Sequence, residues 1–214
     1  MRKIIFPIIF IFVLIAGPVF ARPVSYVGGW TSIQEIADER FSNLIHYTFH
    51  RHFALGYRYA YSLDKEWHYH GPQLNILGKR WNNENSQANI FLHAGLGQVY
   101  SNKKNVSSNN ELGMISGFSA DWEDRRYFTS YAAHYMNLGD IDEFFEQKAR
   151  VGIAPYVAES GALHTWLMVE MKHEPKADRE WSVTPLVRFF KGPVMTELGY
   201  TIDGEVMANL KILF

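Results

Sequence analysis

Phe53-Ala54-Leu55-Gly56-Tyr57-Arg58-Tyr59-Ala60-Tyr61-Ser62 is the stretch that decides how this chain is read. Phe, Leu and Tyr occupy one set of alternate positions, and Ala, Gly, Arg and Ser the other. Successive side chains of a β-strand point to opposite faces. The segment therefore has one continuous apolar, aromatic face and one small, polar face. In a soluble sandwich the aromatic face would pack inward. In a barrel held in lipid it would point out, with the polar face turned to the lumen.

The same period recurs along the chain. Ala88, Ile90, Leu92, Ala94 and Leu96 oppose Asn89, His93, Gly95 and Gly97. Ala149, Val151, Ile153, Pro155 and Val157 oppose Lys148, Arg150, Gly152 and Ala154. Leu163, Thr165, Leu167, Val169 and Met171 oppose His164, Trp166, Met168, Glu170 and Lys172. Trp181, Val183, Val187 and Phe189 oppose Ser182, Thr184 and Arg188, and Thr196, Leu198 and Tyr200 oppose Glu197 and Gly199. Between Trp67 and Trp81 the alternation changes phase, and a β-bulge is expected near Gly71-Pro72. The last strand sets Ala208, Leu210, Ile212 and Phe214 against Met207, Asn209, Lys211 and Leu213, and ends on an aromatic residue.

The spacing predicts twelve strands, near 24–35, 41–50, 53–63, 67–81, 87–101, 112–123, 127–138, 147–158, 162–173, 181–191, 194–202 and 205–214. Ten strands result if the first segment or the His50-Arg51-His52 turn is assigned differently. Every second connection is expected to be short, as at Arg51-His52 and Gly192-Pro193. Several intervening ones, 102–111, 139–146 and 174–180, are expected to be longer and more polar. Short turns at one end and longer loops at the other suit an up-and-down barrel with both termini on one side.

The N-terminus reads as an export signal. Arg2 and Lys3 precede the apolar run from Ile4 to Ala16, Gly17-Pro18 breaks it, and Val19-Phe20-Ala21 supplies a small-residue cleavage site. Residues 1–21 are therefore expected to be a cleaved signal peptide and 22–214 the barrel. The run is too short for a comfortable spanning helix of about 20 residues. The chain has no cysteine, so neither a disulfide framework nor a lipid-bearing cysteine is expected. No later segment offers a transmembrane helix, so any crossing must use strands in a closed barrel, where every backbone group is paired.

These features together resemble the small bacterial outer-membrane β-barrel proteins. The resemblance rests on the export signal, the alternation through the rest of the chain and the C-terminal strand. It implies an all-β, single antiparallel up-and-down transmembrane barrel in the outer membrane of a Gram-negative bacterium. It also implies lipid and lipopolysaccharide around that barrel, and barrel-assembly machinery that reads Leu210, Ile212 and Phe214. It transfers no functional residue. The 12 Tyr, 15 Phe and 6 Trp suit membrane interfaces, where a ring is buried and its polar tip stays wet.

With the aromatic faces outward, the ionisable strand residues must face inward. These are Arg58, His93, Asp121, Glu123, His134, Lys148, Arg150, Glu170, Lys172, Arg188, Glu197 and Lys211. A charge on the lipid face costs about 2–4 kcal/mol near the midplane. Both signs are present, so ion-pair networks across the lumen are expected. An eight-stranded barrel fills itself and a sixteen-stranded one leaves a wide channel. Twelve strands imply a narrow, partly plugged pore for small solutes, or a closed structural barrel of the envelope.

Two other chemistries were weighed. His68 and His70, two apart on one strand face, and His50 and His52 at a turn are the candidate metal ligands, but each pair is an incomplete site. A lipid-modifying enzyme would need a nucleophile beside a base. Ser130 and His134 share a face but lie roughly 13 Å apart along a strand, and His164 has no nucleophile motif beside it. No motif asks for a cofactor. The formal net charge of −1 shows no field that would draw a nucleic acid. Asn105-Val106-Ser107 matches a glycosylation sequon but reads as a coincidental loop in an exported bacterial barrel. Gly95-Leu96-Gly97 reads as a close-packing site within a strand.

Overall fold

The computed structural model describes residues 22–37, 39–101, 109–159 and 161–214. The expected signal peptide and the sequon at Asn105 lie outside these residues. The strands are β1 (Trp30–Ala37), β2 (Arg40–His50), β3 (Phe53–Ser62), β4 (Trp67–Asn82), β5 (Ser86–Ser101) and β6 (Asn110–Asp124), then β7 (Tyr127–Asn137), β8 (Glu143–Ile153), β9 (His164–His173), β10 (Trp181–Lys191), β11 (Val194–Tyr200) and β12 (Val206–Leu213). Each pairs antiparallel with its sequence neighbours, and β1 pairs with β12, so the sheet closes into an up-and-down barrel of twelve strands. The count of twelve is borne out and the ten-strand alternative is not.

Closure follows from the last strand. Ile212 pairs with Ser32 and Leu210 with Gln34, so the outward alternation of β12 continues onto β1. Beyond the ladder, the Trp30 N–H donates to the Phe214 carbonyl at 2.7 Å, and the Phe214 N–H donates to the Trp30 carbonyl at 2.9 Å. A closed ring has no edge strand, which removes the unpaired backbone groups that lipid would penalise.

The outer surface is what the alternation implied. Leu55, Tyr57, Tyr59, Leu92, Leu96, Leu112, Val151, Leu167, Val169 and Leu198 are all exposed. The alternate residues Ala54, Ala60, Phe91, Val99, Met168 and Glu170 are buried. Trp30, Trp81, Trp122, Tyr127 and Phe214 are exposed near the end that carries the termini, and Tyr59, Trp181 and Tyr200 near the other. A continuous apolar belt flanked by aromatic girdles is a surface made for hydrocarbon, and it far exceeds the exposed patches of soluble monomers.

Three local expectations are corrected. The first strand starts at Trp30, not at residue 24, because the preceding residues turn into the barrel. Gly28, at φ +90°, makes that turn in a conformation that favours glycine. The eighth strand runs Glu143–Ile153 instead of 147–158. Pro155 lacks the N–H that a ladder needs, while the consecutive Phe144 and Phe145 obscure an alternation that begins earlier. The loop before it shrinks to 138–142, and the one after it grows to span 154–163 on the otherwise short-turned side. The phase change in β4 sits at Gly78 and not at Gly71-Pro72: the register shifts between Leu77 and Lys79, while Gly71 and Pro72 stay in step with Arg58 and Tyr57.

Candidate functional site

The lumen has two unlike halves. Inward residues of β3 to β8 form a dry cluster that includes Trp67, Tyr69, Val99, Ile115, Met136 and Phe144. Leu138 and Ile141 of the β7–β8 loop fold into it, and Trp67 Nε1 donates to Asp142 Oδ2 at 2.8 Å, tying that loop down over the mouth. Glycines on the inner wall let the large rings lie flat. A Cβ at Gly97 would stand 2.8 Å from Tyr69 Cε2, and one at Gly117 only 2.3 Å from His93 Cε1. The opposite half, from β8 through β12 to β1 and β2, carries the main ion-pair cluster, while Arg58 on β3 and Asp121 and Glu123 on β6 add charge outside it.

That charged half is organised around Glu197 on β11, which is 0% exposed. Its Oε1 accepts from Arg188 Nε at 2.7 Å, and its Oε2 accepts from Asn209 Nδ2 at 2.7 Å and from Arg150 Nη1 at 3.0 Å. Arg150 in turn pairs with Glu170 through Nε. The Arg188 guanidinium lies 4.4 Å above the Phe128 ring. A buried carboxylate left alone would be prohibitively costly, and its stability here depends on several charge-assisted bonds.

Three water-accessible spaces follow one another along the lumen. A vestibule of about 430 Å³ opens at the end away from the termini, lined by Arg40, Asp142, Lys172, Glu174 and Arg179. A central cavity of about 100 Å³ shares Arg40, Phe144, Lys172 and Ser182 with it, and adds Glu35, Arg58, His134, Glu146, Lys148 and Glu170. A second vestibule of about 570 Å³ lies at the terminal end, lined by Arg22, Asp121, Glu123, Trp166, Arg188 and Lys211. The central cavity and this second vestibule share no residue. Glu170 faces the first and Arg188 the second, with Arg150 and Glu197 bonded between them. The ion-pair cluster therefore stands between the two spaces.

Every ionisable strand residue singled out from sequence takes an inward position. Arg58 Nε donates to Gln73 at 2.6 Å and its Nη1 to Ser42 at 3.1 Å. Lys148 pairs with Glu146 at 2.9 Å, and Lys172 stands 3.9 Å from Glu174. Asp121 accepts from Asn89 at 2.7 Å, and Glu123 pairs with Arg22. Lys211 lines the terminal vestibule. His93 and His134 meet with ring centroids 5.2 Å apart, each with a buried Nε2 that has no hydrogen-bond partner.

Several lumen residues, Arg22, Asp142 and Arg179 among them, escaped the sequence reading. Glu35, Arg40, Glu146 and Glu174 line the central cavity or the vestibule beyond it, and Arg40 pairs with Glu174. Glu146 was findable: it stands two residues before Lys148 and so shares its face. It was missed because the strand was started too late.

The histidine pairs lie elsewhere. His68 and His70 sit on the outward face of β4, stacked on Tyr61 and Tyr100 with centroids 5.5 and 5.6 Å apart. Tyr57 Oη is 2.5 Å from His70 Nδ1. His50 and His52 flank the β2–β3 turn, where the His52 N–H donates to His50 Nδ1 at 3.2 Å. Among the described residues, no group of three or more His, Cys, Asp or Glu could hold a metal ion. His134 packs against His93 and, at 5.9 Å, against Phe144. Ser130 stands in register with Asp121 and Arg150.

No family model matches the chain, and no curated protein matches it. Solved structures similar to it include the KdgM porin in complex with disordered oligogalacturonate, at 7% identity and TM-score 0.49, covering 87% of this chain and 98% of that chain. The KdgM porin itself is 10% identical with TM-score 0.47, over 87% and 98% of the two chains. OmpTdeltaL8, a loop L8 deletion mutant of the Vibrio cholerae outer membrane protein OmpT, is 12% identical with TM-score 0.31, over 87% and 97%. The fold of this chain stands on its own strand register.

Proposed function

We propose that the protein is a narrow channel for small solutes in the bacterial outer membrane, with the end that carries both termini facing the periplasm. The observation that carries this reading is the succession of three spaces, of about 430, 100 and 570 Å³, each lined by charged side chains and parted at one point by an ion-pair cluster. A barrel filled only for stability would be dry throughout. Solutes would enter the vestibule beside Lys172 and Arg179, and pass Arg58 and Lys148. They would then meet the Arg150, Glu170, Glu197 and Arg188 cluster. Lipid and lipopolysaccharide would contact the apolar belt, and the assembly machinery would read the Leu210, Ile212 and Phe214 face. Residues 1–21 would be removed on export.

The saturated bonding of Glu197 favours a second reading, a closed structural barrel. Planar-bilayer recording of refolded protein separates the two. Small conductance steps that grow in Arg150→Ala/Glu197→Ala support the channel. Silence in both proteins, with folding verified, would leave only the structural barrel.

A further inference from the structure

The residues before β1 run back into the mouth at the terminal end. Ser25 reaches β2, where its N–H donates to Thr48 Oγ1 at 3.2 Å. Val24, 0% exposed, packs with Ala54 of β3, Leu77 of β4 and Phe91 of β5. Arg22 pairs with Glu123 of β6 and places Nη1 3.9 Å from Asp121. Within four residues the segment touches every strand from β2 to β6. It covers that half of the mouth and leaves the vestibule open on the side of Trp166, Arg188 and Lys211.

We propose that residues 22–29 form a strap that narrows the periplasmic mouth, latched by Arg22 on Glu123 and Asp121, seated by Val24 and hinged at Gly28. The argument is one of unequal attachment. At its hinge the Gly28 N–H donates to the Thr48 carbonyl at 2.8 Å and the Thr48 N–H donates to the Gly29 carbonyl at 3.0 Å, while residues 22–27 add no rung to the sheet. Ahead of those glycines its hold includes one buried apolar side chain, a serine–threonine contact and an ion-pair cluster. One buried Val side chain is a small apolar contact, and a partly solvated ion pair adds little more. An attachment this small can open while the twelve-strand ladder stays closed. Gly28, at φ +90°, is the pivot about which residues 22–27 can swing while Gly28 and Gly29 keep their bonds to Thr48. The side chains that face the latch are Asp121 and Glu123 on β6, with Arg80 bonded to Asn89 and Asn89 to Asp121 alongside. Neutralising the two acids therefore releases Arg22 without breaking a backbone bond. The role in passage rests on the channel reading, whereas the docking does not.

Single cysteines test it cleanly, because the chain has none of its own. Val24→Cys reports docking through its rate of modification by a small maleimide. The rate should be slow in the refolded barrel and at least about tenfold faster when Asp121→Asn/Glu123→Gln is added. Equal rates in the two backgrounds would overturn the latch. Ser130→Cys, inward on β7 in register with Asp121, reports the opening of the mouth to a bulky polyethylene-glycol maleimide. Faster labelling after latch removal supports a closing role, and unchanged labelling overturns it. Arg22→Gln, on a segment outside the sheet, repeats both measurements without altering a strand. Bilayer recordings on the same samples judge the channel separately. Absent conductance in every background refutes the channel, while the labelling rates still decide the strap.

Discussion

Arg150 and Glu197 stand three strands apart on the ring, on β8 and β11, and are joined across the lumen with Nη1 3.0 Å from Oε2. No contact along the sheet requires this. It braces a wall that would otherwise be held only by its neighbours. In the proposed channel the same charges would carry both structure and selectivity.

Removing one member of that cluster should therefore affect both. Arg150→Met leaves Glu197 with Arg188 and Asn209, and Glu170 without its arginine. Breaking a buried pair in this way costs about 3–5 kcal/mol, lowered to the extent that lumen water reaches the orphaned acid. Urea unfolding in vesicles should show the loss, and any conductance should shift toward cations. An unchanged midpoint would mean that the cross-lumen brace is not formed.

The outward belt predicts a sharp asymmetry between faces. Val169→Arg, on the exposed face of β9, should destabilise the vesicle-embedded barrel by about 2–4 kcal/mol. In detergent-free buffer a soluble barrel would tolerate the same change well, because Val169 is exposed. Tolerance in vesicles would argue that this face does not meet lipid.

Backbone proximity predicts a contrast between two glycines of β4. A Cβ at Gly71 would fall 2.3 Å from the Leu96 carbonyl oxygen and 2.4 Å from Gly97 Cα, whereas one at Gly78 meets nothing nearer than 3.6 Å. Both obstacles at Gly71 are backbone and cannot rotate away. Gly71→Ala should lose more than about 2 kcal/mol by overpacking or fail to refold, and Gly78→Ala should refold normally. The heat-modifiable shift of folded barrels on gels reads both.

Phe214 closes the ring through its two backbone bonds to Trp30. Deleting it removes both bonds and the last outward aromatic. Outer-membrane levels should fall several-fold, while protein that does assemble should keep its lumen properties. Wild-type levels of the deletion would dissociate Phe214 from assembly.

Much of this barrel was legible because lipid and water enforce a period of two. Wherever a strand crosses hydrocarbon, a misplaced side chain is penalised, so β3, β5, β9 and β10 carry their faces plainly in sequence. The pattern loosens where that penalty ends. Residues 24–29 read as the start of a strand because Val24 and Tyr26 lie two apart, yet Val24 is buried while Tyr26 and Val27 are both exposed. The start of β8 was hidden by Phe144 and Phe145, one inside the dry cluster and one in the belt, because both environments accept the same residue.

Sequence alone determined the in-and-out alternation of its clearest strands, a count of about twelve, and that both termini lie at one end of the barrel. It could do so because those properties are local, set by the alternation of neighbouring side chains between lipid and lumen. Only the tertiary structure decided that Glu197 would gather Arg150, Arg188 and Asn209, that Trp67 would hold Asp142 over one mouth, and that Arg22 would reach Glu123 across the other. Those partners are brought together by closing the sheet and by the stagger of its strands. Both are set by the register of all twelve pairings at once, which no single segment encodes.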